Sequence, residues 1–176
     1  MSDDILEAAA VADIEQAVPL AESGGASNSA EQLLAQARQA AAAKSLPYAG
    51  GLPPRQAWTL VSSSAATLLD VRSAEERKFV GHVPNSQHVA WATGTALTRN
   101  PRFVREVESK FKDKNAVLLL LCRSGKRSAA AAEALAKAGY TNAYNVLEGF
   151  EGEIDAQQHR GGSDGWRHRG LPWVQD

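Results

Sequence analysis

The residues best suited to chemistry stand in one run, Cys122-Arg123-Ser124-Gly125-Lys126-Arg127-Ser128. Cys122 is the single cysteine of the chain, which excludes an intrachain disulfide and an all-cysteine metal cluster. Ahead of it lie the apolar residues Ala116 to Leu121, and behind it an alanine-rich stretch, so the pattern predicts strand, tight loop, helix. Ligands of open α/β sheets bind at the carboxyl ends of the strands. A short loop there can turn several backbone N–H groups toward one point, and the helix N-terminus adds partial positive charge. Arg123, Lys126 and Arg127 add formal positive charge. A thiol in that field is expected to be substantially ionised near neutral pH, and the thiolate is the nucleophile. Gly125 permits the positive φ that a tight ring of amides needs. An inert core thiol would suit a cysteine inside Leu118–Leu121 better than one followed by Arg-Ser-Gly-Lys-Arg.

Other polar residues invite chemical readings that the spacing favours less. Asp70 and Arg72 fall at a strand end, where structural work is expected: Asp70 bonding backbone or a nearby base, Arg72 pairing with Glu75 or Glu76. Arg127 is expected to serve the loop through substrate anions or backbone carbonyls. His82, between Gly81 and Pro84, reads as a turn residue. His159 and His168, with Asp155 and Asp164, match no familiar zinc spacing and read as a hydrated loop, so no metal is expected. Trp58, Phe79, Trp91, Phe103, Phe111 and Tyr144 read as packing residues, and Phe150 is expected to border the mouth of the site.

The elements that must position the loop follow a βα rhythm. Pro53 and Pro54 open a helix to about Val61, with Ala57, Trp58 and Val61 facing inward. Thr67 to Val71 is a short strand and Ala74 to Phe79 a charged helix closed by Gly81. Gln87 to Ala90 is a strand, and Pro101 to Phe111 an amphipathic helix. Ala116 to Leu121 is apolar without alternation, as in a central parallel strand covered on both faces. Ser128 to Ala138 is a helix ended by Gly139, followed by a strand from Ala143 to Leu147. Alternating strands and helices predict an α/β fold with a doubly wound, open parallel sheet. Everything after Glu148 reads as an irregular tail, with Trp166, Leu171, Pro172 and Trp173 folding back as an apolar anchor.

Composition bounds the rest. The chain has 176 residues and a formal net charge of -1, one domain's worth of length with an appendage and too little positive charge for a general nucleic-acid binder. The first fifty residues carry a net charge of -5, with fifteen alanines and no aromatic before Tyr48. They form an acidic extension, helical or disordered, over 1–46, ahead of a main domain over 47–176. Within the extension, Asp3 to Val18 could be a helix, Ser23 to Ser29 a flexible connector, and Ala30 to about Lys44 a second helix capped by Ser29. Such short helices are marginal in water, so a frayed, solvated extension is expected ahead of a partner-binding one. No stretch suits a membrane span, and the acidic start resembles no secretory or transit signal, so a cytoplasmic location is expected.

Three motifs in order carry a resemblance. Leu68-Leu69-Asp70-Val71-Arg72, then Gly81-His82-Val83-Pro84-Asn85-Ser86, then the loop from Cys122 to Ser128 resemble the rhodanese family of sulfurtransferases, over about Pro53 to Leu147. The resemblance implies ping-pong transfer through a persulfide on Cys122, with Arg123, Ser124, Gly125, Lys126, Arg127 and Ser128 forming the substrate cradle. It implies a small anionic sulfur donor such as thiosulfate, a thiol or protein acceptor, and no cofactor. Cysteine phosphatases and arsenate reductases are a less favoured alternative. Such phosphatases typically place arginine six positions after the cysteine; here that position is Ser128, and Arg127 comes one residue early. A non-catalytic interaction module of the same family is the other alternative; inactive relatives commonly lack the cysteine that this chain keeps.

Overall fold

The computed structural model describes residues 23–176, with side chains from Ser29 onward. The helix expected over Asp3 to Val18 lies outside the described residues. In chain order the elements are α1 (Ser23–Ala43), β1 (Gly50–Leu52), α2 (Pro54–Ser62), β2 (Thr67–Asp70), α3 (Ala74–Val80), β3 (Gln87–His88), β4 (Ala92–Thr93), β5 (Thr98–Arg99), α4 (Phe103–Lys110), β6 (Leu118–Leu121), α5 (Lys126–Lys137) and β7 (Ala143–Val146). Five strands form one parallel sheet in the order β1-β7-β6-β2-β3, and β4 and β5 form a separate antiparallel pair. The expected doubly wound α/β fold is therefore present.

The four leucines of β6 explain why this strand is central. All four are fully buried, each worth about 1.5–3 kcal/mol of transfer free energy. Leu119 and Leu121 pack with α1, α2 and the tail residues Phe150 and Trp166 on one face. Leu118 and Leu120 pack with α4 and α5 on the other. The tail does fold back: Trp166 is buried, and its indole N–H donates to the Pro172 carbonyl at 2.9 Å.

Three local expectations are overturned. Residues 23–29 are helical, not a connector, so Ser29 lies inside α1 rather than capping it. Once a helix is nucleated, each further residue brings its own hydrogen bond, which carries α1 through a weak glycine-serine stretch. Nor is α1 a frayed helix in solvent. Ala30, Leu34, Ala37 and Ala41 are buried, and Arg38 Nη2 donates to Asn142 Oδ1 at 2.6 Å beside β7. An alanine face is flat enough to lie close on a sheet, which composition alone reads as weak hydrophobicity. Finally, Phe79 is 70% exposed, because α3 buries none of its residues. That helix is fixed by polar contacts instead, beginning with a reciprocal cap between Ser73 and Glu76.

The β1 strand and the β4–β5 pair were not anticipated. Gly50 and Gly51 carry no strand propensity, so the pairing of β1 with β7 is supplied by tertiary contact.

Candidate functional site

Alternation along β6 decides which way the thiol faces. Cys122 continues the Leu118–Leu120 side, among residues of α4 and α5, and is 1% exposed. Its sulfur is not left in hydrocarbon. The Gly125 N–H donates to Sγ at 3.1 Å, and Ser128 Oγ stands 3.1 Å away. Gly125 makes the first contact possible, with φ 100° and ψ -6° in the left-handed region, where a side chain costs about 1–2 kcal/mol. Immediately after it α5 begins, and the first-turn N–H groups of an α-helix have no partners within the helix.

The tail holds the back of the loop. Phe150 N–H donates to the Cys122 carbonyl at 2.8 Å, and Glu151 and Gly152 donate to the Arg123 carbonyl at 3.0 and 3.2 Å. With these carbonyls turned toward residues 150–152, the Gly125 amide faces the sulfur. Gly149 allows this approach, since a Cβ there would stand 2.4 Å from the Arg123 carbonyl. Phe150 is therefore a buried support rather than a residue at the mouth. Its ring lies 4.1 Å from the guanidinium carbon of Arg72.

Under the loop lies Asn145 of β7. Its Nδ2 donates to the Gly125 carbonyl at 3.1 Å, and its Oδ1 stands 2.5 Å from Ser128 Oγ. Ser128 and Asn145 are both buried. Asn145 was not singled out from sequence. The available signal was a polar residue between Tyr144 and Val146 in a strand buried throughout, since a buried polar group needs partners.

The cations of the loop diverge. Arg127 forms two hydrogen bonds to Glu76, at 2.8 and 2.6 Å, so it engages a carboxylate of α3 rather than a backbone carbonyl. Burial pushes the Glu76 carboxyl up. Hydrogen bonds from Arg127 and the Ser73 N–H, with the charges of Arg127 and Arg72, outweigh this and bring it down to about 2. Lys126 is 80% exposed and reaches only Glu153, at 3.7 Å. Arg123 makes no ion pair among the described residues and lines a pocket of about 260 Å³ with Ser73, Glu75, Glu76, Val80 and Leu97. Ser124 sits between Arg123 and Gly125 at the turn of the loop. Glu76 was also missed as a site residue: Ser73-x-x-Glu76 is legible as a cap, but its partner lies 51 positions away.

The neighbouring strand end is a closed knot of charge. Asp70 accepts from Arg72 Nε and Nη2 at 3.0 and 2.8 Å, from the Arg72 backbone N–H at 3.0 Å, and from Arg77 Nη1 at 2.8 Å. Arg72 thus pairs with Asp70, not with Glu75 or Glu76; a two-residue spacing across the strand end brings the two side chains together. Arg72 Nη2 also donates to the Gly81 carbonyl at 2.8 Å, tying down the turn that holds His82. The backbone of His82 bridges to Val174 of the tail.

In the tail, Asp155 Oδ1 accepts the Gln157 and His159 amides, and Asp164 Oδ1 accepts the Glu153 amide. His168 Nδ1 lies 3.1 Å from the Gly161 carbonyl. Among the described residues no cluster of three or more His, Cys, Asp or Glu side chains is arranged to hold a metal ion. No helix of the described residues is long and apolar enough to cross a membrane.

Comparison with known proteins agrees with this architecture. The model of the rhodanese-like domain matches residues 53–154. The crystal structure of Rv0390 from M. tuberculosis is 44% identical, with a TM-score of 0.66 over 73% of this chain and 99% of that one. Protein RC0915 of Rickettsia conorii is 37% identical over 65% of this chain and 87% of its own length. The thiosulfate sulfurtransferase GlpE of Actinobacillus pleuropneumoniae is 29% identical over 69% of this chain and 89% of its own. With the family match spanning more than half its length, and the fold and motif order in agreement, this chain belongs to the rhodanese-like family.

Proposed function

We propose that the protein is a sulfurtransferase that moves a sulfane sulfur from an anionic donor of the thiosulfate type to a thiol or protein acceptor. The observation that carries this reading is the setting of Cys122 Sγ at the N-terminus of α5, where the Gly125 amide donates to it and the Ser128 hydroxyl stands 3.1 Å away. The amide dipole and the helix terminus are fixed and stabilise negative charge on the sulfur without reorganising, and the hydroxyl can turn toward that charge. The likeness to a named thiosulfate sulfurtransferase supports the donor class.

In this reading the Cys122 thiolate attacks the outer sulfur of thiosulfate. The S–S bond of the donor breaks, sulfite leaves with its electron pair, and Cys122 carries a persulfide. An acceptor thiolate then attacks the outer sulfur, the enzyme S–S bond breaks, and Cys122 leaves as thiolate. Arg123 draws the anionic donor through the adjoining pocket. Ser124 and Gly125 contribute backbone amides, and Ser128 its hydroxyl. Arg127 fixes the loop through Glu76, and Lys126 contributes long-range attraction only. With a single cysteine the chain has no internal thiol to receive the sulfur, so transfer goes outward. Cytoplasmic thiols are the acceptors this chemistry suits.

Cyanide-coupled turnover of thiosulfate tests the proposal. Wild type is expected to form thiocyanate and Cys122→Ala to form none above background; equal rates would remove the catalytic reading.

A further inference from the structure

Four polar groups close a ring around the nucleophile, and when the sulfur is an anion the ring holds one hydrogen too few to serve every contact at once. Gly125 N–H donates to Cys122 Sγ, and the Gly125 carbonyl accepts from Asn145 Nδ2, at 3.1 Å in each case. A carbonyl can only accept, so this contact fixes which end of the Asn145 amide faces it and leaves Oδ1 toward Ser128. At 2.5 Å, the two oxygens Asn145 Oδ1 and Ser128 Oγ require a proton between them, and only Ser128 has one. That proton is then unavailable to Sγ, 3.1 Å from Ser128 Oγ on the other side. The sulfur must supply its own, giving the directed chain Sγ–H to Oγ–H to Oδ1. This is the arrangement of a neutral thiol. A sulfur anion, whether thiolate or persulfide, needs the Ser128 proton turned toward it, and the Asn145 bond is given up.

We propose that Asn145 is a positioning residue that competes with the sulfur for the single proton of Ser128, holding Cys122 as thiol at rest and, once the thiol's own proton has passed to solvent water, releasing the hydroxyl to the anion. The proposal rests on Cys122 being the nucleophile, as argued above. It makes Asn145 a brake on the resting thiol, and it separates two functions of one side chain. The Nδ2 end supports the Gly125 turn and so the amide aimed at the sulfur. The Oδ1 end controls the hydroxyl. Arg127, whose charge acts on Cys122, is engaged by Glu76 and acts equally whichever way the hydroxyl points.

A double-mutant cycle isolates the competition. The readout is the far-ultraviolet thiolate absorbance of the full chain at neutral pH, with the Cys122→Ala spectrum subtracted; one cysteine makes the assignment unambiguous. Asn145→Ala is compared with its parent twice, once with Ser128 present and once in Ser128→Ala. Loss of the Gly125 support enters both comparisons and cancels in their ratio. Removing Asn145 should raise the thiolate signal, relative to its parent, about threefold more with Ser128 than without it. Equal ratios in the two backgrounds, or a wild-type thiol already fully ionised, would overturn the proposal. Should circular dichroism show Asn145→Ala unfolded, Asn145→Asp, which keeps and strengthens the acceptor, should lower the signal more with Ser128 than without; equal lowering overturns it. Persulfide loading by thiosulfate is scored separately by mass. Coupling without persulfide would refute sulfur transfer and leave this inference standing, and persulfide without coupling would do the reverse.

Discussion

The carboxyl ends of β2 and β6 lie side by side, Asp70 paired with Leu121, and they solve opposite problems. At the β2 end, Asp70 and Arg72 are both fully buried and both charged, and every hydrogen bond to the Asp70 carboxylate comes from a neighbouring arginine. At the β6 end a single sulfur faces a backbone amide and a hydroxyl, while Arg127 and Lys126 of its own loop face Glu76 and Glu153. Formal charge at Asp70, Arg72 and Arg127 is thus spent on architecture, and the reactive atom is managed by main-chain and hydroxyl dipoles. A salt-bridged knot is rigid because breaking it strands a buried charge. A ring of neutral donors can serve a sulfur that changes charge during turnover.

The comparison can be broken most forcefully at the β2 end. Asp70→Ala leaves Arg72 buried without its carboxylate and should cost about 3–5 kcal/mol, read as a lowered urea midpoint. A cost under about 1 kcal/mol would mean that water reaches the knot. Next in size, Ser128→Ala at the β6 end removes a hydrogen bond worth about 1.5–3 kcal/mol to a charged sulfur. Sulfur transfer should slow by about tenfold or more, and the urea midpoint should fall as well, because Asn145 Oδ1 is left buried without its donor at a cost of about 1–3 kcal/mol.

Glu76 links the two ends, since its capping box starts α3 and its carboxylate holds Arg127. Its carboxyl lies at about 2, below the usual carboxylate value, so its contribution to stability is complete above that usual value and is lost as pH falls toward about 2. Wild type should therefore lose more stability on acidification than Glu76→Gln, and the two denaturation midpoints should converge in acid. Parallel profiles would show that the pair does not hold the loop. The smallest effect belongs to Lys126→Ala, whose side chain is 80% exposed and touches Glu153 only at 3.7 Å; stability should stay within about 0.5 kcal/mol.

Much of this was legible in sequence for physical reasons. Four adjacent leucines ending at a cysteine, then glycine and an alanine-rich helix, can hardly be other than a central strand delivering a loop to a helix N-terminus. What escaped depends on partners distant in sequence. Arg127 meets Glu76 across 51 positions, Ser128 meets Asn145 across 17, and Arg38 meets Asn142 across 104. Adjacency in the chain predicts one field from the three loop cations; in the fold Arg127 meets Glu76, Lys126 reaches toward Glu153 and Arg123 lines the pocket beside Ser73. The alanines of α1 were read as solvated because a weak apolar face declares itself only against the surface it covers.

In the proposed function the Gly125 amide and the Ser128 hydroxyl hold a negatively charged sulfur pair on Cys122. Intact mass of the full chain after thiosulfate treatment tests it most directly. The account predicts a gain of one sulfur atom, removed by a reducing thiol, absent in Cys122→Ala and diminished in Ser128→Ala. An unchanged mass in wild type, or the same gain in Cys122→Ala, would contradict it.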